Sequence, residues 1–531
     1  MRVDGKPEGL RQSMSWLHTW SGLLLGWLLY AVFFTGTLSF FRNEITDWMR
    51  PELHQSVPDA GTAQRGLDAM QAIAPKATTW TLSLPNERQT AIEASWREPG
   101  AAAGRPGTQR TTLDAGTGEQ LQPRETRGGA FLYRFHFELY AMPRIWGRWI
   151  VGFATMLMLV AIISGVITHK KIFSDFFTFR PRKGQRSWLD GHNAVGVLVL
   201  PFHLMITYSS LVIFMSMVMP ASIVASYGSD VRKFYDDVFP ASKTPERADV
   251  AAPLTAMAPL LAKASEQWAG GHTARLSVSN PGDASATVVL SRAGDRVVHD
   301  FGRAVTFSGV TGQLLSSTPD QPVAMAVGGA FYGLHMGHFA GPLLRWLYFI
   351  CGLAGTAMIG TGLVIWLGKR QLKNSKSAAL PFELRLVEVL NIASMAGLVS
   401  AVAVFFLANR LLPVSLAGRA DWEVNAFFIA WGLSVVHAVL RPGRKAWIEQ
   451  LTLGAALFIA VPLINALTTP WNLGASLMQR DWALAGFDLT CLATGLFLGW
   501  AARKMQRTGD SVSVRKTSSS ARSITVEQGA N

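Results

Sequence analysis

The chain is poor in cysteine and poor in charge. Its 531 residues include two cysteines, Cys351 and Cys491, both inside apolar runs. Thiols placed like this allow no disulfide framework in the polar parts and no thiolate metal cluster; they read as small buried hydrophobes. No Cys-x-x-Cys-His is present, which excludes covalent c-type haem attachment. No Gly-x-Gly-x-x-Gly follows a strand and opens a helix, and there is no Walker motif or His-Glu-x-x-His. The sequence therefore shows no nicotinamide or ATP site and no metalloprotease signature. Charged residues make up 16% of the chain, against about 25% in a typical soluble domain.

Apolar and aromatic residues fill the gap. The chain is 49% hydrophobic, with 18 Trp and 29 Phe, residue types that favour membrane interfaces. A helix needs about 20 apolar residues to cross a bilayer. Eight runs qualify, at about 17–40, 145–168, 192–218, 344–367, 384–408, 424–440, 449–468 and 483–502. The first is longer than a signal-peptide core, and Arg42-Asn43-Glu44 follows it in place of a small-residue cleavage site, so it reads as a retained span.

A net charge of +14 raises the question of nucleic acid. The basic residues instead cluster beside the spans: Arg2/Lys6/Arg11, Lys170/Lys171/Arg180/Arg182/Lys183/Arg186, Lys369/Arg370/Lys373/Lys376 and Arg441/Arg444/Lys445. That is the positive-inside bias. The expected partner is membrane lipid and not nucleic acid, with N- and C-termini on the inner side of a multi-pass membrane protein. The Ser/Thr/Arg-rich tail reads as disordered.

Two long polar segments then face outward, and each has the pattern of a small α+β module. In the first, Leu67–Ala74 has helical spacing and is followed by strand-like Thr79–Leu84, Thr90–Trp96 and Thr111–Asp114. In the second, helical Leu254–Ala264 precedes Ala274–Val278, Ala286–Ser291, Val297–Asp300 and Val305–Phe307. Both end in a Thr-Gly turn, Thr117-Gly118 or Thr311-Gly312, where Gly supplies the positive φ of a tight reversal. The chain thus divides into 1–41 (N-terminus and first span), 42–143 (first outer module) and 144–219 (second span, basic loop, third span). Then come 220–342 (second outer module), 343–368 (fourth span), 369–383 (inner loop), 384–502 (four further spans) and 503–531 (tail). The repeated unit is span, outer module, span.

Histidines recur at matching places in the two copies. His18 and His192 open matching helices at the inner face, each with Gly four residues on (Gly22, Gly196). Gly-Gly-Ala-Phe occurs at 128–131 and 328–331, followed by His136 or His335, then Pro143 or Pro342. Ionisable groups at membrane depth are costly and point to function. His203 lies inside the third span, 11 residues after His192; on a straight helix the two would share a face about 16.5 Å apart. His169 sits beside Lys170 at the inner end of the second span. Arg134, Arg144, Arg148 and Arg345 are placed to hold propionates. Bis-histidine b-type haem fits this set best. The expected inner site lies between His18 and His192. An outer site would use His203 with His136 or His335, and a direct His136–His335 pair is the competing arrangement.

Residues 10–370 resemble a known family, the PepSY-associated transmembrane helix proteins, also called iron-regulated membrane proteins. The resemblance rests on Arg11–Gly26 with Thr35-Gly36, Phe131–Lys171, Leu189–Tyr208 and Leu334–Trp366. It includes Trp146-Gly147-Arg148-Trp149, Ser164-Gly165-Val166-Ile167-Thr168-His169-Lys170-Lys171, Leu200-Pro201-Phe202-His203 and Leu334-His335-Met336-Gly337. Ser209-Ser210, where Thr35-Gly36 stands in the first copy, and the four extra spans depart from it.

The resemblance implies an α-helical integral membrane bundle of about eight spans with two PepSY-like periplasmic modules. It further implies two haems b on the family histidines His18, His136, His169, His192, His203 and His335, and a haem-containing ferric-siderophore reductase. Such a protein takes electrons from quinol or a separate reductase and releases Fe(II) from a ferric siderophore or other Fe(III) chelate. Two rival readings stand beside it. One is a non-enzymatic PepSY scaffold that senses or regulates a peptidase. The other is a siderophore or metal permease using the last four spans, where Asp488 is the clearest charge at membrane depth.

Overall fold

The structure is a computed structural model. It describes residues 9–527, apart from 103–104, 170–175, 177–179, 182, 229, 239–244, 295–296, 300–301, 319–321 and 376–378. Lys170, Lys171, Arg182 and Lys376 of the basic loops, and Asp300, lie outside the described residues.

The first half contains α1 (Leu10–Leu24), α2 (Gly26–Ser39), α3 (Arg42–Trp48), α4 (Thr62–Ile73), α5 (Gly128–Glu138) and α6 (Arg144–Thr168). The second contains α7 (Gln185–Leu198), α8 (Leu200–Ile213), α9 (Met257–Gln267), α10 (Val323–Met336) and α11 (Pro342–Lys373), with short helices Met215–Val218, Ala221–Tyr227 and Val231–Val238 after α8. A C-terminal unit follows: α12 (Phe382–Ile392), a π turn, α13 (Leu398–Leu411), α14 (Arg419–Leu440), α15 (Arg444–Thr468), α16 (Leu473–Gln479) and α17 (Trp482–Glu527). The last helix continues through the segment that reads as disordered, because its backbone ladder runs on unbroken from the span.

Six helices are long and apolar enough to cross a membrane, α12 and α13 counting as one. Two further spans are bent pairs, α1–α2 and α7–α8, each turning 66° at its break. This is a multi-pass membrane protein of up to eight spans. The bends fall at Leu25 and Val199. Pro201 stands in the first turn of α8, where its missing N–H costs nothing; Gly26 begins α2, where a Cβ would stand 2.7 Å from Leu363. The straight-helix relation expected between His192 and His203 is therefore wrong, since the helix breaks between them. The bends also let the halves interlock. α1 packs on α6 and α7 on α11, whereas α2 crosses to α11 and α8 crosses to α6.

The two outer segments build one antiparallel sheet rather than two separate ones. Its strands are β1 (Thr79–Ser83), β2 (Ile92–Arg97), β3 (Thr108–Leu113), β4 (Gln120–Leu121), β5 (Thr273–Ser279), β6 (Thr287–Arg292), β7 (Ala304–Ser308) and β8 (Leu314–Ser317). The order is β4-β3-β2-β1-β5-β6-β7-β8. The halves join at β1–β5, with Trp80 opposite Val278 and Leu82 opposite Leu276. Pairing there removes the open edge that each half would expose alone. Trp80, Leu82, Leu276 and Val278 share one buried core with Leu67 and Met70 of α4 and Met257 and Leu260 of α9. The strand expected at Val297–Asp300 is absent from its described residues. The chain there forms a turn against α10, where a Cβ on Gly333 would stand 1.8 Å from the Val298 carbonyl.

The C-terminal unit docks on the first half through a buried polar cluster, and its α12 also packs on α11 of the second half, where Leu384 and Val387 meet Leu367. Trp48 of α3 stacks on Phe487 at 4.3 Å, lies 3.8 Å beneath the Arg410 guanidinium and donates Nε1 to Asp488 at 3.0 Å. Arg419 and Glu423, whose side chains are wholly buried, pair with each other. Glu423 also accepts from Asn409 and Thr126. Asp488 is thus one of several charges inside these four spans, and each is matched by a neighbour, as buried charge requires. Beside the cluster, burial with Asp481 and Glu44 nearby pushes the Asp47 carboxyl from 3.8 up to about 7.

Two outcomes follow for the detergent-solubilised protein. Glu423→Ala leaves Arg419 buried without its carboxylate and should cost about 3–5 kcal/mol, read as a clear drop in unfolding temperature. Folded Asp47 holds its proton up to about 7, where an unfolded Asp has lost it. Its contribution to stability is therefore present below the unfolded value and lost as pH rises through the folded one. Asp47→Asn should gain unfolding temperature relative to wild type between about pH 5 and 8; an unchanged difference would contradict the buried, protonated carboxyl.

Candidate functional site: paired imidazoles inside the helix bundle

Four of the histidines meet in two pairs. His18 on α1 and His192 on α7 have ring centres 6.3 Å apart. His136 on α5 and His335 on α10 have ring centres 6.2 Å apart. The first pair lies toward the face of the bundle where α1 begins, and the second at the sheet side. Of the two outer arrangements open in the sequence, the structure brings His136 to His335.

Each ring is held the same way. His18 Nδ1 bonds the Ala161 carbonyl at 2.8 Å, and His192 Nδ1 bonds that of Met358 at 3.0 Å. His136 Nδ1 bonds the Val32 carbonyl at 2.7 Å, and His335 Nδ1 bonds that of Ile206 at 3.1 Å. A carbonyl oxygen can only accept, so each Nδ1 carries the proton and each Nε2 keeps its lone pair. The pattern obeys the internal duplication, since the same offset along the chain relates His18 to His192 and Val32 to Ile206. It breaks at two details, the first being that His192 Nδ1 also lies 3.1 Å from Thr361 Oγ1. The second is that Ser209 Oγ also lies 3.0 Å from His335 Nδ1, whereas its counterpart Thr35 bonds the Ala31 carbonyl.

Glycines make these approaches possible, though the tightest are not the two expected. A Cβ at Gly36 would fall 2.5 Å from His136 Nδ1, at Gly165 3.0 Å from His18, and at Gly362 3.3 Å from His192. Nothing lies within 4 Å of a Cβ at Gly22, and Gly196 meets only Met358 sulfur at 3.4 Å.

His203 is in neither pair. It is 1% exposed and packs edge-on to Phe33 at 6.0 Å. Its Nε2 has no hydrogen-bond partner among the described residues, and a Cβ at Gly355 would stand 2.7 Å away. Leu29 occupies its place in the first half, so the duplication does not repeat it. His169 caps the end of α6 through its backbone N–H, next to Thr168, whose carbonyl accepts from Arg11.

A cavity of about 320 Å³ adjoins the sheet-side pair. Leu29, Met158 and Phe202 lie along it within the bundle, and Arg42, Arg88, Arg148 and His338 line it where the helices end beneath the sheet. Of the arginines expected to face a cofactor, Arg148 is held by Glu138 and Arg345 by Glu44. Arg144 lies 3.9 Å from Glu138. Arg42 and Arg88 were not singled out in the sequence. Arg42 directly follows the first span, which is a usable signal; Arg88 arrives from a sheet hairpin far along the chain and leaves none.

A Gly36→Val side chain must displace the His136 ring, an overpacking cost of about 1–3 kcal/mol. Gly22→Val, with open space at its Cβ, should leave the unfolding temperature close to wild type. Equal effects would contradict the close packing at Gly36.

A family model described as PepSY-associated TM region matches residues 15–369. The uncharacterized protein PA4219 of Pseudomonas aeruginosa is 26% identical over 366 residues, which cover 66% of this chain and 89% of that protein. The matched region holds both imidazole pairs and the whole sheet, and stops before α12. The chain belongs to the family of PepSY-associated transmembrane proteins.

Proposed function

We propose that the chain is a b-type haem electron-transfer protein of the bacterial inner membrane, with cytoplasmic termini, and that it reduces ferric siderophore in the periplasm to release Fe(II). One observation carries the reading: two pairs of imidazoles, each with Nδ1 committed to a carbonyl and Nε2 left as donor. Two imidazoles that share one metal through bonds of about 2 Å have ring centres about 6 Å apart, and both pairs have that spacing. Among the described residues no group of three or more His, Cys, Asp or Glu is placed to hold a metal ion. A two-nitrogen set suits a metal whose other ligands come with it, as in a porphyrin.

The residues fit two such groups, one on His18 and His192 and one on His136 and His335. Haem held by two histidines supplies one-electron chemistry whose potential follows from its ligands and burial. The protein's part is to orient the imidazoles. The carbonyl bonds fix the tautomer and the ring direction, as hydrogen-bonded partners of metal-ligating histidines commonly do. The apolar bundle around them keeps water away. His203, buried between aromatic rings, is left as a packing or tuning residue rather than a ligand. Ferric siderophore as acceptor, and quinol or a separate reductase as donor, rest on the family resemblance.

Purified protein should show a sharp reduced α-band and about two haems b per chain by pyridine haemochrome. His18→Ala/His192→Ala and His136→Ala/His335→Ala should each lose about half the haem, while His203→Ala should keep both. Wild type without haem, from haem-replete cells, would sink the reading and leave the scaffold alternative. Full haem in both double variants would refute the ligand assignment.

A further inference from the structure

The structure points to a second element at the sheet-side cavity, beyond the histidines. We propose that Arg42, Arg88 and His338 form a carboxylate-binding site where the cavity beside His136 and His335 opens beneath the sheet.

The three side chains reach this place from three parts of the fold. Arg42 begins α3, immediately after the first bent span. Arg88 comes down from the hairpin between β1 and β2. His338 follows α10. All three line the cavity, and the apolar Leu29, Met158 and Phe202 line it further along. The cavity thus suits a molecule with an apolar body and an anionic end.

The charges around it do not balance. Arg88 bonds Glu44 through Nε and Nη2, both at 2.7 Å, and donates to the Phe40 carbonyl at 3.0 Å. Arg345 Nη1 bonds the same Glu44 at 2.7 Å. One carboxylate therefore serves two guanidinium groups. Arg42 adds a third cation. It lies 4.7 Å over the Tyr133 ring and 3.4 Å from His338 Nε2, and no carboxylate pairs with it among the described residues. Burial, then Arg42, Arg88 and Arg345, push the His338 imidazole down to about 4. His338 is thus a neutral group and adds no charge of its own. Arg148, which also lines the cavity, already has Glu138. Glu87 also lies near Arg345, so the cation left over is Arg42; at a half-buried site it favours an anion, and planar guanidinium groups bind carboxylate best.

The carboxylate has two possible sources, which share this chemistry. It belongs either to the propionates of a haem on His136 and His335, which rests on the proposed function, or to a carboxylate-bearing ferric chelate arriving beneath the sheet, which does not require haem.

The test uses the full chain, produced in haem-deficient cells and purified in detergent. It is titrated with iron protoporphyrin IX, with the dimethyl ester of the same compound, and with ferric citrate, in wild type, Arg42→Gln and Arg42→Lys. If the site takes propionates, the ester binds wild type about ten-fold more weakly than the free acid, and Arg42→Gln removes that difference. If it takes the chelate, acid and ester bind alike, and Arg42→Gln weakens ferric citrate about ten-fold while a neutral ferric trihydroxamate is unaffected. Arg42→Lys keeps the charge and should retain most of either effect, which separates the site from a folding defect. If Arg42→Gln changes neither the acid-to-ester ratio nor citrate binding, the proposal is overturned. Wild type that binds neither porphyrin would defeat the haem reading, and the citrate arm would still decide the carboxylate site.

Discussion

Inside a bilayer no water is available to satisfy an imidazole N–H, and that constraint organises this molecule. Each of the four paired histidines must find an acceptor within the protein, and each finds a main-chain carbonyl on a crossing helix. A carbonyl so used also receives the i+4 amide of its own helix, so the ring has to come close to the helix backbone. Glycine permits that at Gly36, Gly165 and Gly362. The bends at Leu25 and Val199 then let one span serve both sites. α1 carries His18 at one depth, and α2 of the same span offers the Val32 carbonyl to His136 at another.

The duplication explains the symmetry, and its breaks are informative. Both halves supply one imidazole to each pair, so neither half makes a complete site alone. The sheet repeats this logic, because its halves meet at β1 and β5 and share a core. Three features stand out among those the duplication does not repeat: His203 where the first half has Leu29, Ser209 against His335, and the docking of the C-terminal unit on Trp48. The first two alter the surroundings of the imidazoles without adding a pair. The third buries Arg410, Arg419 and Glu423 in a hydrogen-bonded cluster, an arrangement suited to a fixed joint.

Much of this was legible along the chain. The eight apolar runs, the span–module–span repeat and the matching of His18 with His192 and of His136 with His335 all follow from local pattern, since hydrophobic length and motif spacing are properties of consecutive residues. Most strands were legible too, because Trp80, Leu82, Ala94 and Trp96 alternate with outward-facing residues at period two. The strand expected at Val297–Asp300 failed because a short run of this kind can equally turn to cover a helix. His203 shared a helix face with His192 only while α7 and α8 were taken as one straight rod.

The sequence by itself determined that this is a duplicated membrane protein with histidines at two depths, because span length, charge bias and repeated motifs need no knowledge of what lies across the fold. Only the tertiary structure decided which histidines face each other, that two outer modules become one sheet, and that Arg88 from a sheet hairpin stands beside Arg42 and His338 under it. Those are contacts between residues far apart in the chain. They depend on the angle at which two bent helices cross and on strand edges seeking partners, and neither quantity is written in the pattern of neighbouring residues.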